Sequence, residues 1–194
     1  MDIILASQSP RRRELLEKLG YRFEVLPART EEFFDPNLDI DSALEQVAYE
    51  KAKAVQGQRP EALILSADTI VVHNGEILGK PRDDLEASEM LVNLSDDWHE
   101  VKTGVAVITP AFEITFADTA RVHFRDLSSK EILDYVSTQK PLDKAGAYGI
   151  QEVSFADELE GNLSTVIGLP VEDVDMVMQL LHLLSHPVLP DYYY

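Results

Sequence analysis

The sequence of 194 residues contains no cysteine. Disulfide bridges, thiolate nucleophiles and cysteine-ligated zinc are therefore excluded. The sequence also lacks any apolar run that approaches the roughly 20 residues of a membrane-spanning helix. Its first six residues, Met-Asp-Ile-Ile-Leu-Ala, have neither the basic start nor the long apolar core of a signal peptide. These absences predict a soluble cytoplasmic protein that does not bind membranes.

Basic residues are scarce, with 17 Lys and Arg against 35 Asp and Glu, so the formal net charge is −18. A surface this acidic repels DNA, RNA and anionic lipid, and no nucleic acid polymer is expected as a partner. An anionic small molecule would need a local cluster of basic groups. The apolar share of 45% is ordinary for a globular fold. The length predicts a single domain over residues 1–194, or two lobes around a cleft.

Apolar patterns typical of strands and of helices alternate along the chain, which predicts an α/β fold with a mixed sheet and flanking helices. The predicted strands are residues 3–6, 21–26, 63–72, 77–78, 101–108 and 114–124. The predicted helices are one that begins at Pro10 and four more over residues 40–55, 85–94, 128–138 and 170–184. The tail 186–194, with two prolines and three tyrosines, is expected to fray or to dock weakly.

The first predicted helix begins with an unusually basic turn. Ser9 suits the N-cap and Pro10 the first helical position. The next three residues, Arg11–Arg13, carry charges that oppose the positive end of the helix dipole. A bound anion would resolve this conflict, since backbone N–H groups, the hydroxyls of Ser7 and Ser9, and guanidinium groups would converge on a phosphate. Alternatively, the arginines face solvent or pair with acids. At most two of the three can face one site.

Asp68 lies within an apolar strand pattern, where a buried carboxylate needs a cation, a metal or several hydrogen bonds. The pair Asn74 and Gly75 predicts a two-residue hairpin turn, and its register extrapolates to Thr69 opposite Lys80. The hairpin would therefore bring an ammonium group beside Asp68. A regular ladder places Lys80 on the face of Thr69, so its long stem or a bulge must close the gap. The alternative to a functional role is a structural Asp68–Lys80 ion pair.

Three further features have ordinary explanations beside functional ones. Glu31 and Glu32 lie in an acidic loop, where a solvated charge run is the simpler interpretation. Gln151 follows a glycine-rich turn, and its amide could equally read the edge of a nucleobase or brace the loop. Lys51 and Lys53 are interpreted as surface residues of the second helix, although one of them could reach a phosphate.

Four sequence segments together resemble one known family. They are Leu-Ala-Ser-Gln-Ser-Pro-Arg-Arg-Arg-Glu-Leu-Leu at 5–16, Ala-Asp-Thr at 67–69 with Gly-Lys-Pro at 79–81, Asp-Lys-Ala-Gly-Ala-Tyr-Gly-Ile-Gln at 143–151, and Gly-Leu-Pro at 168–170. In this order and spacing they resemble the Maf family of nucleoside triphosphate pyrophosphatases. The resemblance implies a twisted mixed sheet with a central cleft, similar to inosine triphosphate pyrophosphatases. It also implies cleavage of a nucleoside triphosphate to monophosphate and pyrophosphate with a divalent metal, Mg²⁺ or Mn²⁺ above all.

The resemblance assigns phosphate binding by position. Ser7, Ser9, Arg11 and Arg12 match the family's phosphate-binding loop. Lys80 matches its phosphate-binding lysine, which also serves catalysis. These assignments agree with the first of the two alternatives for the basic turn, in which it binds an anion.

The resemblance also implies the catalytic and base-selecting residues. Asp68 matches the proton acceptor, and Glu32 together with Asp68 matches the metal ligands. Arg11, Thr69 and Gln151 match positions tied to base choice. The Asp-Thr pair and the Ala-Tyr-Gly-Ile-Gln run are similar to the dTTP/UTP branch of the family rather than to its 7-methyl-GTP branch.

The sequence departs from the family pattern in one region. The family usually has glycine after the matched glutamine, where this chain has Glu152. The stretch 153–163 is short and acidic, and Leu163 stands where an aromatic residue is common. These differences concern base choice and the edge of the cleft, not the phosphate-binding residues.

Two functions are compatible with these sequence features. The first is an enzyme that hydrolyses dTTP, UTP or related modified nucleotides in a house-cleaning role. The alternative is a nucleotide-binding regulator of septum formation and cell division that does not turn over its ligand. The presence of both Asp68 and Lys80 favours the enzyme, because a pure binding protein need not keep them. A symmetric homodimer is expected only because it is the most common oligomer.

Overall fold

A seven-stranded sheet organises the chain in the computed structural model, which describes residues 1–185. The strands are β1 (Ile3–Leu5), β2 (Glu24–Val25), β3 (Leu63–His73), β4 (Glu76–Leu78), β5 (Trp98–Ile108), β6 (Glu113–Phe124) and β7 (Ala156–Glu160). The helices are α1 (Pro10–Lys18), α2 (Ile40–Gln56), α3 (Asp84–Leu94), α4 (Ser129–Gln139), α5 (Leu163–Ile167) and α6 (Val171–Ser185), with a 3₁₀ turn at Ala145–Ala147. The tail predicted to fray, 186–194, lies outside the described residues.

The sheet is mixed, as predicted. Its strand order is β2-β1-β3-β5-β6-β7, and β4 pairs with β3 outside this path. β1 runs parallel to both β2 and β3, whereas β3, β5, β6 and β7 are antiparallel neighbours. Helices flank the sheet, which confirms the predicted α/β class. No helix in the described part of the chain has the length and apolar character needed to cross a membrane.

The two faces of the sheet carry different helices because side chains alternate along each strand. In β3, Ile64 packs against α2, whereas Leu65 packs against α1 and α6. The approach of α2 is close: a Cβ atom at Gly104 of β5 would lie 2.8 Å from the Leu44 backbone oxygen. Glycine is therefore required there if the helix is to lie against the sheet. A third cluster joins α3 and α4 to the far end of β6 around Phe124.

Local sequence signals produce the predicted turns and caps. The Ser9 hydroxyl accepts the Arg12 N–H at the start of α1. Asn74 and Gly75 have φ values of 51° and 81°, which the predicted hairpin turn requires. The register predicted from that turn is confirmed from His73 opposite Glu76 as far as Val71 opposite Leu78.

Three elements differ from the predictions, one of them the short helix α5, which was not predicted. The predicted strand 21–26 is paired only at Glu24–Val25, and β7 was not predicted at all. β7 is an edge strand of acidic sequence with mostly exposed side chains, so its residues show no apolar alternation. Its pairing with β6 is made by backbone hydrogen bonds. Charged residues on an exposed edge also discourage pairing with other chains.

A buried histidine lies beneath the 3₁₀ turn. His99 of β5 is 2% exposed, and its Nε2 lies 2.7 Å from the Tyr148 hydroxyl. Its Nδ1 has no hydrogen-bond partner among residues 1–185. Burial, with a smaller contribution from the neighbouring His73, lowers the pKa of His99 to about 4. The folded protein therefore keeps this imidazole neutral at a pH where the unfolded chain protonates it.

We expect His99 to make the protein less stable in mild acid. The unfolded imidazole binds a proton below its pKa of 6.5, whereas the folded one does so only below about 4. Between pH 7 and pH 5 the free energy of unfolding should therefore fall by about 2 kcal/mol through this residue alone. Urea unfolding at pH 7 and at pH 5 measures this difference. The free energy of unfolding of His99→Gln should change less between the two pH values than that of the wild type.

His123→Gln provides a control of opposite sign. The hydrogen bond that the His123 ring donates to the Asp157 carboxylate is the main cause that raises the pKa of His123. Its contribution to stability is therefore present below the unfolded pKa and is lost as the pH rises through the folded one. His123→Gln should be more destabilising at pH 5 than at pH 7. Equal pH dependence in the wild type and His99→Gln would contradict the account of His99.

Candidate active site

The nine predicted site residues line one cavity of about 550 Å³. This volume lies within the range of about 300–1,000 Å³ that is typical of small-molecule sites. The residues come from segments far apart in the sequence, and the fold brings all of them to one place. They are Ser7, Ser9, Arg11, Arg12, Glu32, Asp68, Thr69, Lys80 and Gln151. The expected shared cleft is therefore present, and the role of each residue stays a prediction.

The parallel pairing of β1 with β3 explains why these segments meet. Leu5, the last residue of β1, lies opposite Leu65 of β3. β1 ends there, whereas β3 continues to His73. Ser7 and α1 therefore follow β1 into the space beside the middle of β3, where Asp68 lies. Cavities at the carboxyl ends of parallel strands are common ligand sites in α/β folds.

Arg12 joins three segments through its guanidinium group. Its Nε donates to the Gly168 carbonyl at 2.8 Å. Its two terminal nitrogens donate to the Ser7 hydroxyl at 3.2 Å and to the Thr69 hydroxyl at 3.0 Å. A Cβ atom at Gly168, where φ is 123°, would lie 3.3 Å from the Thr69 hydroxyl. All three nitrogens are thus engaged within the protein, and this fixes α1 against β3.

The other two arginines of the basic turn, Arg13 and Arg11, lie in different surroundings. Arg13 is exposed and pairs with Glu17 at 2.8 Å, so it lies outside the cavity. Arg11 lines the cavity and has no hydrogen bond or ion pair to any residue between 1 and 185. This confirms the prediction that at least one of the three faces solvent. Burial is the main cause that lowers the pKa of Arg12, and the nearby charge of Asp68 opposes this effect.

Asp68 is 6% exposed and is paired with Lys51, although the sequence pattern predicts a surface position for that lysine. Lys51 of α2 places its Nζ 2.5 Å from Asp68 Oδ1 and 2.9 Å from Glu32 Oε1. Glu32 is therefore paired with Lys51, although its side chain is still 40% exposed to solvent. The surface interpretation is correct for Lys53, which pairs with an exposed glutamate.

The alternative interpretation given above, a structural Asp68–Lys80 ion pair, is wrong, because Asp68 pairs with Lys51. The β3–β4 ladder ends at Leu78, and Lys80 lines the cavity without an ion pair to Asp68. The physical reason is the alternation of β3. Asp68 is on the same face as Ile64, which packs against α2, and Lys51 lies on that helix. A signal for Lys51 existed, because it continues the apolar stripe of α2 at helical spacing.

Opposing effects act on the pKa of the Glu32 carboxyl group. Burial, the largest single effect, raises the pKa of Glu32. The hydrogen bond and charge of Lys51, with the charges of Lys80 and Arg12, outweigh burial and lower the pKa overall. Glu32 is therefore held as a carboxylate next to Asp68 in a cavity that is otherwise rich in basic groups.

Residues 143–152 form one wall of the cavity, and this wall carries the side-chain amide of Gln151. A Cβ atom at Gly146, where φ is 66°, would lie 2.8 Å from the Val71 side chain, so only glycine fits. The Gly146 N–H donates to the Gly79 carbonyl at 3.1 Å and ties this wall to the segment of Lys80. Gln151 is exposed on the cavity and has no side-chain hydrogen bond to residues 1–185, so nothing shows it bracing the loop. Apolar or aromatic residues also line the cavity, among them Tyr148, Ile150, Val166 and Ile167.

The protein has an α/β fold, and its cavity has the size of a small-molecule site. One part of the site is cationic, and another is apolar with a free amide. The chain belongs to the family described as Maf-like protein, whose profile matches residues 2–181.

Several relatives share one name. The chain is similar to a protein of Geobacillus sp. (strain WCH70) named dTTP/UTP pyrophosphatase, with 43% identity over 171 residues that cover 87% of this chain and 92% of that protein. A protein of the same name from Anaeromyxobacter sp. (strain Fw109-5) is 46% identical over 193 residues, which cover 96% and 91%. Among solved structures, the Ham1 protein of Staphylococcus aureus aligns over 65% of this chain and 73% of its own, with a TM-score of 0.49 and 14% identity.

We expect Arg12 to stabilise the fold in a way that lysine cannot replace. Lysine cannot reproduce the planar arrangement that reaches Gly168, Ser7 and Thr69 together. Arg12→Lys should therefore lower the free energy of unfolding by roughly 2 kcal/mol in urea denaturation, because buried acceptors lose their donors. The matched change Arg13→Lys affects an exposed pair and should leave this free energy unchanged within error. Equal effects of the two substitutions would contradict the assignment of Arg12 as a tie between segments.

Proposed function

We propose that this chain is a nucleoside triphosphate pyrophosphatase that cleaves between the α and β phosphates. The substrate class is dTTP, UTP or a related modified nucleotide, and the products are the monophosphate and pyrophosphate. One observation carries the proposal. The Lys51–Asp68–Glu32 cluster lies in the same cavity as the capped N-terminus of α1. The names of the relatives support the same reaction.

The triphosphate would bind at the basic part of the cavity. The N-terminus of α1 presents backbone N–H groups and the positive end of the helix dipole. Arg11 and Lys80 line the cavity without ion pairs to residues 1–185, so both cations are available to a ligand. They would offset the negative charge that develops on the departing pyrophosphate. Arg12, whose donors are already engaged, would contribute its charge and hold the loop in place.

Asp68 would accept the proton of the attacking water. Lys51 holds its Oδ1 at 2.5 Å, so the Oδ2 atom is left to act as the base. Water deprotonated in this way would attack the α phosphorus, and the bond to the bridging oxygen would break. Lys51 itself would neither transfer a proton nor bind a phosphate; it would keep the Asp68 carboxylate oriented.

A divalent cation fits the same donor set. Oxygens of Asp68 and Glu32 both approach one Nζ atom within 3 Å. No group of three or more His, Cys, Asp or Glu that could hold a metal occurs among residues 1–185. Mg²⁺ is commonly held by one or two carboxylates, with phosphate oxygens and waters as its other ligands. Asp68 and Glu32 would therefore hold Mg²⁺ or Mn²⁺, which when bound neutralises phosphate charge and acidifies water.

The proposal extends to the setting of the protein. The cytoplasm holds the nucleotides that such an enzyme would act on, and we infer this location from that chemistry. Residues 1–194 are proposed as a single domain. A symmetric homodimer is proposed because closed two-fold assemblies are the most common oligomers.

We expect pyrophosphate release from dTTP and UTP in the presence of Mn²⁺, with slower release from CTP, ATP and GTP. Asp68→Asn should lower turnover by about 10²–10⁴-fold, the usual contribution of a general base, while nucleotide binding persists. Asp157→Asn, which changes an acid on β7 outside the cavity, should retain full activity. Full turnover by Asp68→Asn would remove Asp68 from its role. Binding without release from any nucleotide would instead favour a regulator that does not hydrolyse its ligand.

A further inference from the structure

Besides Asp68, Glu32 and Asp143, the cavity wall carries a fourth acidic group, Glu152, which the mechanism above does not use. It lines the cavity directly after Gln151, and its side chain is 34% exposed. An acid is unexpected on a wall that faces a triphosphate, since it adds repulsion unless it serves another part of the ligand. Its position next to a free amide points to the nucleobase rather than to the phosphates.

The Glu152 carboxylate is held in place through one oxygen. The Tyr135 hydroxyl donates to Oε2 at 3.3 Å, and the Lys144 ammonium lies 3.4 Å from the same atom. Lys144 is 8% exposed and is also bonded to Asp143 at 3.0 Å. Burial is the main cause that raises the pKa of Tyr135 to about 12, so its hydroxyl stays a donor at neutral pH.

The adjacent turn is shaped to receive this carboxylate. The Gly149 N–H donates to the Tyr135 hydroxyl at 3.2 Å, and the Glu152 N–H donates to the Gly149 carbonyl at 2.9 Å. A Cβ atom at Gly149 would lie 3.0 Å from the carboxylate carbon of Glu152. The second carboxylate oxygen, Oε1, has no hydrogen bond to residues 1–185. It is therefore an oriented acceptor that remains available to a ligand.

We propose that Glu152 selects the base by accepting the ring N–H of uracil or thymine at Oε1. This proposal rests on the proposed function, because it presumes that a nucleotide occupies the cavity. The edge of uracil and thymine presents an N–H group between two carbonyl oxygens. The carboxylate matches the N–H, and the Gln151 amide matches a neighbouring carbonyl. Cytosine presents a lone pair at the same ring nitrogen, which a carboxylate repels. The substrate class is therefore a base with a ring N–H beside a carbonyl.

The test compares UTP, CTP and N3-methyl-UTP with the wild type, Glu152→Gln and Glu152→Gly. In the wild type, kcat/KM should be higher for UTP than for either of the other two. Glu152→Gln should reduce the UTP-to-CTP ratio by about tenfold or more, because a neutral amide can also donate to cytosine. Glu152→Gly should shrink the penalty for N3-methylation by a similar factor. Glu158→Gln, an exposed acid on β7, is the matched control and should leave every ratio unchanged.

Separate outcomes decide the two proposals. A purely structural role for Glu152 would lower activity on all three nucleotides equally, and unchanged ratios would overturn the inference. If the wild type releases no pyrophosphate, the proposed function fails, but base choice is still measured. Equilibrium dialysis with UTP and CTP then gives the ratio of dissociation constants for the wild type and Glu152→Gln. If the ratio of the two dissociation constants is the same for Glu152→Gln and for the wild type, this measurement also overturns the proposal.

Discussion

A carboxylate buried in a strand and paired with a helical lysine is the interaction on which the cavity depends. Asp68 is 6% exposed, and an ionised group left alone there would cost several kcal/mol. Lys51, 2.5 Å away, compensates that charge and recruits Glu32 to the same ammonium group. Because Lys51 belongs to α2, the pair also fixes how this helix lies across β3. The groups proposed for chemistry therefore also help to set the fold.

The alternation of β3 distributes the site over two faces of the sheet. Asp68 faces α2 and its lysine, whereas the next residue, Thr69, faces α1 and accepts a hydrogen bond from Arg12. The Thr69 hydroxyl also lies 2.9 Å from that of Thr103 on β5. Two neighbouring residues thus connect the acidic cluster to the basic turn. Because β1 ends before this point, a space remains beside β3 that borders both the acidic cluster and the basic turn. A single cavity therefore contains both groups, and one ligand can reach them.

Signals that act over a few residues predicted much of the fold. The Ser9 cap and the Asn74–Gly75 turn formed as expected because their chemistry is local. β7 could not be predicted, because an exposed acidic edge strand shows no apolar pattern and depends on backbone pairing with β6. The turn register, extended beyond the ladder, predicts only that Lys80 lies near Asp68, and the ion pair between them was an alternative to a functional role. The true partner, Lys51, depends on how a helix packs across a strand, which no short motif encodes.

A double-mutant cycle between Lys51→Met and Asp68→Asn, read as the free energy of unfolding in urea, tests the central claim most directly. Lys51→Met alone should cost about 3–5 kcal/mol, because it leaves Asp68 buried without a cation. Adding Asp68→Asn should recover a large part of that loss, with a coupling of at least about 1 kcal/mol. The exposed Lys53–Glu113 pair is the matched control and should show no measurable coupling. Additive effects of the two cavity substitutions would contradict the account.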